Sequence, residues 1–317
     1  MSGARLSDRL ASSVPPERVQ QNAPLAPFTT FKVGGAADWL VHAQRADEVR
    51  AALGAAREIG LPVTVLGGGS NVLVSDAGVR GVVIRVHGGE VRATRENTIR
   101  ADGGLTINGL VRWTIGRGVA GLEAWAGTPG TVGGAIYGNA HFQGRLIAEL
   151  VESVEVVDTT GGDMREVRIA AADMEFGYDR SRLQRTRELV LSADFRVGRG
   201  APAALRAIAR DSLAYRKRTQ PLESASAGCI FQNPDPSVDR VPAGIPYSAG
   251  ALVDRAGLKG TRDGGARVSP THGNFIVNDG GATADEIRRL IERCRDQVRA
   301  QFGVELRDEV VYLGFGL

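Results

Sequence analysis

Apolar residues recur at helical spacing in four stretches of the chain and cluster or alternate at strand spacing between them. From Asp47 to Ile59, the residues Val49, Leu53, Ala56 and Ile59 share one helical face, and Gly60 stops the run. Thr106 to Arg117 repeats the pattern with Ile107, Leu110, Val111 and Ile115 inward. A third helix is predicted just beyond Gly200, with Leu205, Ile208, Leu213 and Tyr215 as its apolar positions. The fourth carries the clearest punctuation: Thr283 as N-cap, Glu286 as its capping-box partner, and Gly303 as the stop. Its stripe of Ile287, Leu290, Ile291, Cys294, Val298 and Phe302 makes Cys294 a core residue. Strand patterns fall at Val63–Leu66, Val72–Val74, Gly81–Val86, Thr98–Ala101, Leu150–Val157, Val167–Ile169 and Leu189–Val197, with a final strand over Val304–Leu313 that carries Glu309. Residues 1–24, polar and carrying Pro15, Pro16 and Pro24, read as a flexible arm.

Two glycine-rich turns interrupt this pattern. One is Gly67, Gly68, Gly69, Ser70 and Asn71, between two strands; the other runs Gly127, Thr128, Pro129, Gly130, Thr131, Val132, Gly133 and Gly134. Closely spaced glycines bare backbone N–H groups, and where these converge they bind an anion. A P-loop needs Gly-Lys-Ser/Thr opening a helix, and a dinucleotide fingerprint needs G-x-G-x-x-G opening one. The first turn has neither, since it reads strand–turn–strand. A pair of such turns suits a diphosphate gripped from two sides, and two tight hairpins are the plain alternative.

Composition narrows the class. The 317 residues suffice for two domains, and 43% hydrophobic with 24% charged residues is ordinary for a soluble globular protein. A net charge of +3 admits a small anionic substrate and lacks the dense basic face of a nucleic-acid binder. The two cysteines, Cys229 and Cys294, make no disulfide framework, and His42, His87, His141 and His272 show no metal-ligand spacing. No apolar run approaches the roughly 18 residues of a membrane span. The expectation is a cytoplasmic protein without metal, membrane or nucleic-acid partner, and with no obligate protein partner evident.

Several stretches resemble the UDP-N-acetylenolpyruvoylglucosamine reductase family. Thr30–Gly35, Leu66–Asn71 and Gly127–Ala135 match its FAD-binding half. Ser226-Ala227-Gly228-Cys229-Ile230-Phe231-Gln232-Asn233-Pro234, Gly257–Gly260, His272–Asn278 and the closing Phe302–Val310 match its substrate half. With no long insertion after the second glycine turn, the chain is similar to the shorter family type that lacks an extra substrate-covering loop. The resemblance implies an α+β fold: a two-lobed FAD-binding domain of the flavin-oxidase-like type at residues 25–198, with lobes of about 25–86 and 87–198, and a smaller α+β substrate-binding domain at 199–317. It implies non-covalent FAD, NADPH as co-substrate, and reduction of the enolpyruvyl UDP-sugar to UDP-N-acetylmuramate for peptidoglycan precursor synthesis.

The same resemblance implies site roles. Cys229 falls at the family's acid position, where many members carry Ser, and Glu309 falls on its terminal catalytic Glu. Gly67, Gly68, Gly69, Ser70, Asn71, Gly127, Thr128, Pro129, Gly130, Gly133 and Gly134 are the expected cofactor-binding residues. Arg216 and Lys217 are expected on the substrate diphosphate, for which a cationic cluster is apt, with Asn233 and Asn274 as donors to the sugar or uracil. One motif departs. The family shows Phe-x-Tyr-Arg-x-Ser, whereas Phe176-Gly177-Tyr178-Asp179-Arg180-Ser181 has its Arg one place late. In an extended segment that shift turns the side chain to the other face. Arg180 is the expected catalytic Arg, with Arg182 as the competing candidate. Two other classes keep both glycine turns: another FAD oxidase or dehydrogenase, which has no use for Cys229 and Glu309, and a non-catalytic nucleotide-binding module.

Overall fold

A computed structural model describes residues 3–159, 164–186 and 188–316 of the chain. They form two compact units, each built from several chain segments: residues 1–23, 38–68 and 80–215 make one, and residues 24–37, 69–79 and 216–317 the other.

The first unit contains two sheets. One orders its strands as Val19–Pro24, Ala36–Ala43, Val79–Val86 and Val63–Leu66, the last two being parallel. The helix Ala46–Glu58 covers it and buries Val49, Ala52, Leu53, Ala55 and Ala56. Leu6 and Leu10 of the helix Gly3–Leu10 join the same core, so the arm expected to be flexible is corrected: it carries a helix and an edge strand. Its Leu residues lie four apart on one helical face, and burying each contributes about 1.5–3 kcal/mol. The second sheet is antiparallel, in the order Glu166–Ala170, Val151–Asp158, Glu188–Arg196, Thr98–Asp102, Val91–Arg95. The helices Ile107–Gly116 and Val132–Tyr137 pack on it around the buried Trp125 and Phe195.

The second unit has a three-stranded antiparallel sheet, Arg262–Asp263, Ala266–Val268 and Ile276–Asn278, under the helix Ala284–Phe302. Both cap partners read from the sequence are in place. Thr283 accepts from the Glu286 amide at 3.1 Å, and Glu286 accepts from the Thr283 amide at 3.0 Å. Asp76 caps the same helix end from a distant part of the chain, accepting from the amides of Ala284 and Asp285 at 2.9 and 3.0 Å. Cys294 is buried on the helix's apolar stripe, and burial pushes its thiol up to about 12.

Three further expectations change. The helix Pro202–Thr219 buries Leu205, Ala209, Ser212 and Arg216, while Ile208, Leu213 and Tyr215 stay exposed. The buried stripe is therefore rotated away from the apolar one, because the neighbouring elements meet its 205–216 face. The units divide between Tyr215 and Arg216 inside this helix, not near residue 198, and residues 69–79 join the second unit because Val72–Val74 pairs in parallel with Val311–Leu313. The final strand is only Val311–Leu313, so Glu309 precedes it.

Asp76→Ala removes both acceptors from two helix-end amides and is expected to lower stability by about 2 kcal/mol, read as a shifted urea midpoint with an unchanged slope. An unshifted midpoint contradicts the capping role.

Candidate active site

In the first unit the two glycine turns meet backbone to backbone. A Cβ on Gly68 would lie 2.6 Å from the Cα of Gly130, and one on Gly67 would lie 2.6 Å from the Thr131 hydroxyl. Gly130 adopts φ +98, which only glycine tolerates freely. The second turn is bolted to the segment that follows the strand Thr98–Asp102: the Val132 amide donates to Leu105 at 2.8 Å and the Gly133 amide to Gly103 at 2.8 Å. Unlike the first turn it opens a short helix, with the Thr131 side chain accepting from the Gly134 amide. Thr128 and Gly127 are fixed through Asn108, which donates to the Thr128 carbonyl and accepts from the Gly127 amide. Pro129 is exposed at the tip.

The amides of Gly67 and Gly68 donate to no acceptor among the described residues. Two unspent donors on a turn with no side chains fit a diphosphate, the charged middle of FAD. Gly69 and Ser70, in the second unit, likewise have amides that meet no acceptor among the described residues. Gly69, at φ +63, packs so tightly on Phe28 that a Cβ would overlap its carbonyl oxygen. Asn71 also ties its own segment to the C-terminal one. Its side-chain amide donates to the Glu309 carbonyl at 3.0 Å, and its own carbonyl accepts from the Val311 amide at 3.0 Å.

In the second unit Glu309 is bonded to Ile230, the residue after Cys229. Segments 230–232 and 307–309 run antiparallel: the Glu309 amide donates to Ile230 at 2.8 Å and the Gln232 amide to Arg307 at 2.8 Å. Ile230 and Phe231 are buried, Gly228 sits at φ +80, and Cys229 between them is half-buried, as is Glu309. Asn274 is corrected here from ligand donor to clamp. It is 3% exposed; its oxygen accepts from the Phe231 amide at 2.9 Å and its NH2 donates to the Phe231 carbonyl at 2.7 Å. Both groups hold the Cys229 loop. Asn233 is exposed, and its oxygen accepts from the Ala249 amide at 3.1 Å. Arg216 is buried rather than solvated; burial pulls its guanidinium down to about 10, and only its attraction to Cys229 opposes that. Lys217 beside it is exposed.

The two candidate arginines of the first unit separate cleanly. Arg182 makes a two-pronged ion pair with the carboxylate of Glu188, at 2.9 and 2.8 Å, and is neutralised there. Arg180 is exposed and closes a tight turn with Gly177 through reciprocal backbone bonds of 2.9 and 3.2 Å. Asp179 takes φ +51 inside that turn, so the alternation of an extended segment does not apply. Asp179 is buried and pairs with His141 at 3.0 Å, a contact that no spacing in the sequence signals. Among the described residues no group of acidic, His or Cys side chains could hold a metal ion.

Comparison with known proteins places the first unit's fold in a class and then the chain in a family. The FAD binding domain profile matches residues 37–168, which makes this a flavoprotein of α+β type. The profile of the UDP-N-acetylenolpyruvoylglucosamine reductase C-terminal domain matches residues 220–313. A reductase of that name from Synechococcus sp. (strain CC9605) is 40% identical over 300 residues, covering 93% of this chain and 96% of the relative. One from Chlamydia felis is 36% identical over 302 residues, covering 95% and 97%. The crystal structure of UDP-N-acetylenolpyruvylglucosamine reductase (MurB) from Thermus caldophilus superimposes with a TM-score of 0.75 at 33% identity, covering 93% of this chain and 99% of that one. The chain belongs to the UDP-N-acetylenolpyruvoylglucosamine reductase family.

Gly134 offers a direct test of the cradle. It is exposed, and a Cβ there meets only the Thr131 hydroxyl, at an ordinary 3.6 Å. Gly134→Ala is expected to fold within about 0.5 kcal/mol of the parent yet purify with little FAD, measured as flavin per chain after denaturation. Gly68→Val is expected to destabilise even the flavin-free chain, since its side chain would strike Gly130. Full occupancy in Gly134→Ala contradicts the cradle.

Proposed function

We propose that this chain reduces the enolpyruvyl double bond of UDP-N-acetylenolpyruvoylglucosamine with Cys229 as the proton donor and with Glu309 and Arg180 at the substrate carboxylate. The observation that supports the reading is the antiparallel pairing of 230–232 with 307–309, which bonds Ile230, the residue after the half-buried Cys229, to Glu309. FAD held at the glycine turns would supply the hydride chemistry between NADPH and the double bond. The protein supplies what that chemistry needs. Negative charge arriving at the substrate must be held on its carboxylate, which calls for a cation and a hydrogen-bond donor. Arg180 supplies the cation, since Glu188 already neutralises Arg182. The carbon bearing the carboxylate then takes a proton, and a thiol is a far better donor than a hydroxyl. Hydride plus proton across one double bond gives UDP-N-acetylmuramate, the product used in peptidoglycan precursor synthesis.

Gly67, Gly68, Gly69 and Ser70 would hold the FAD diphosphate through their unspent amides, and Gly127, Thr128, Pro129, Gly130, Gly133 and Gly134 would wall it with compact backbone. Asn71 acts through the Glu309 segment to which it is bonded. Arg216 and Lys217 hold the substrate diphosphate, and Asn233 lies exposed to meet its sugar or uracil. A free thiol acid requires a reducing compartment, which supports a cytoplasmic location. No helix among the described residues is long and apolar enough to cross a membrane.

Cys229→Ala separates the two half-reactions. Bleaching of the flavin by NADPH is expected at a near-parental rate, because that step needs no acid at the substrate. Reoxidation by the enolpyruvyl UDP-sugar is expected to slow by roughly 10²–10⁴-fold, and Cys229→Ser is expected to recover much of it. Stopped-flow absorbance reads both steps. Equal slowing of both, or an Ala variant as fast as the parent, would return Cys229 to a packing role.

A further inference from the structure

The segment that leads into Glu309 is gripped by the long helix Ala284–Phe302. Arg295 of that helix places Nη2 at 2.5 and 2.6 Å from the two carboxylate oxygens of Asp308, and its Nε donates to the Leu306 carbonyl at 3.3 Å. One guanidinium therefore holds two residues of the 306–308 stretch. Tyr312 adds a second donor, its hydroxyl lying 3.1 Å from Asp308 Oδ2. Burial, and after it the Asp308 carboxylate, pushes the Tyr312 phenol up, so it stays a donor. The Arg295 and Asp308 side chains are only 25% and 23% exposed, which sets the pair apart from an open surface ion pair. Arg295 stands on a fixed base, because the helix buries Ile287, Leu290, Ile291, Cys294 and Val298.

Strand alternation alone does not aim Glu309. Val304, Leu306 and Val310 are buried while Glu305 and Arg307 are exposed, the period of two of an extended chain. The pairing is irregular at Glu309, however. The Ile230 carbonyl receives two amides, that of Glu309 at 2.8 Å and that of Val310 at 3.4 Å. Two residues facing one across a pair of strands make a bulge, which twists the backbone and re-aims a side chain. Where a bulged residue points depends on how its flanks are held. After Glu309, Val310 is buried and the Val311 amide donates to the Asn71 carbonyl at 3.0 Å. Before it, the fixed point is Asp308, held by Arg295 and Tyr312.

We propose that Arg295 and Asp308 are positioning residues for the reaction: their ion pair, steadied by Tyr312, fixes the backbone that presents Glu309 to the substrate. This rests on the reading above that Glu309 serves the substrate carboxylate. The pair acts through Glu309, and no bond to it is made or broken during turnover.

Stopped-flow absorbance of the FAD-loaded enzyme tests this, with Glu309→Gln as the reference. Glu309→Gln is expected to slow reoxidation by the enolpyruvyl UDP-sugar and to leave bleaching by NADPH near the parental rate. Asp308→Ala and Arg295→Gln should show the same split, each slowing reoxidation by roughly 10–100-fold, the cost of misplacing a reacting group by about an ångström. In the Glu309→Gln chain, adding Asp308→Ala should slow reoxidation by less than about twofold more, because nothing is left to position. Flavin content and thermal midpoint check folding. If either variant does not fold, Tyr312→Phe, which deletes one hydroxyl, takes its place in the cycle, with a smaller loss in the same half-reaction. Parental reoxidation in Asp308→Ala and Arg295→Gln, while Glu309→Gln is slow, overturns the proposal. So does a full independent loss in the double variant, or equal slowing of both half-reactions, either of which marks a packing role. A Glu309→Gln enzyme that reoxidises at the parental rate overturns instead the reading of Glu309 itself.

Discussion

The close approach of Gly68 to Gly130 is the constraint on which the first unit's binding surface depends. A Cβ on Gly68 would stand 2.6 Å from the Gly130 Cα, so there is no room for a side chain at the point of contact. The first turn is the direct continuation of the strand Val63–Leu66, and the second is tied by Val132 and Gly133 to the segment that follows the strand Thr98–Asp102. Each sheet therefore delivers one turn, and the contact between the turns fixes how the unspent amides of Gly67 and Gly68 are presented. A flexible loop would lose entropy on ordering around a diphosphate; a turn already locked by its neighbour has lost it during folding.

The second unit solves a different problem with the same economy of backbone. The loop that carries Cys229 is held in place by its neighbours. Its neighbours Ile230 and Phe231 are buried, Asn274 grips the Phe231 peptide from both sides, and Glu309 is stitched to Ile230. Asn71 then ties Glu309 back to the strand Val72–Val74 that pairs with Val311–Leu313. The Cys229 loop and the Glu309 segment are thus held by one continuous set of hydrogen bonds, from backbone and from the Asn274 and Asn71 side chains. Gly228 at φ +80 lets the chain turn so that the thiol is presented between two buried segments.

Local grammar was legible in the sequence, and tertiary decisions were not. Thr283, Glu286 and Gly303 mark a helix by contacts within a few residues of each other, so its limits follow from spacing alone. The glycine turns announce themselves by composition. By contrast, the buried face of Pro202–Thr219 is chosen by what packs on it, and Ile208 and Tyr215 are left outside. Asn274 looks like any polar donor until Phe231, 43 residues away, takes both its functions. Arg182 and Arg180 are equivalent in sequence and are told apart only by Glu188. His141 carried no metal spacing and meets Asp179 across 38 residues, a pairing that a left-handed residue in a tight turn makes possible. Leu6 and Leu10 did carry a signal, their four-residue spacing, within a stretch whose prolines suggested an arm.

Non-covalent FAD that passes reducing equivalents from NADPH to an enolpyruvyl UDP-sugar would show itself by colour. An anaerobic cuvette tests it most directly. Purified protein should be yellow, should release free FAD on denaturation, should bleach with one equivalent of NADPH, and should regain its colour when UDP-N-acetylenolpyruvoylglucosamine is added. Colour that returns only on admitting oxygen, or a preparation that carries no flavin, would contradict it.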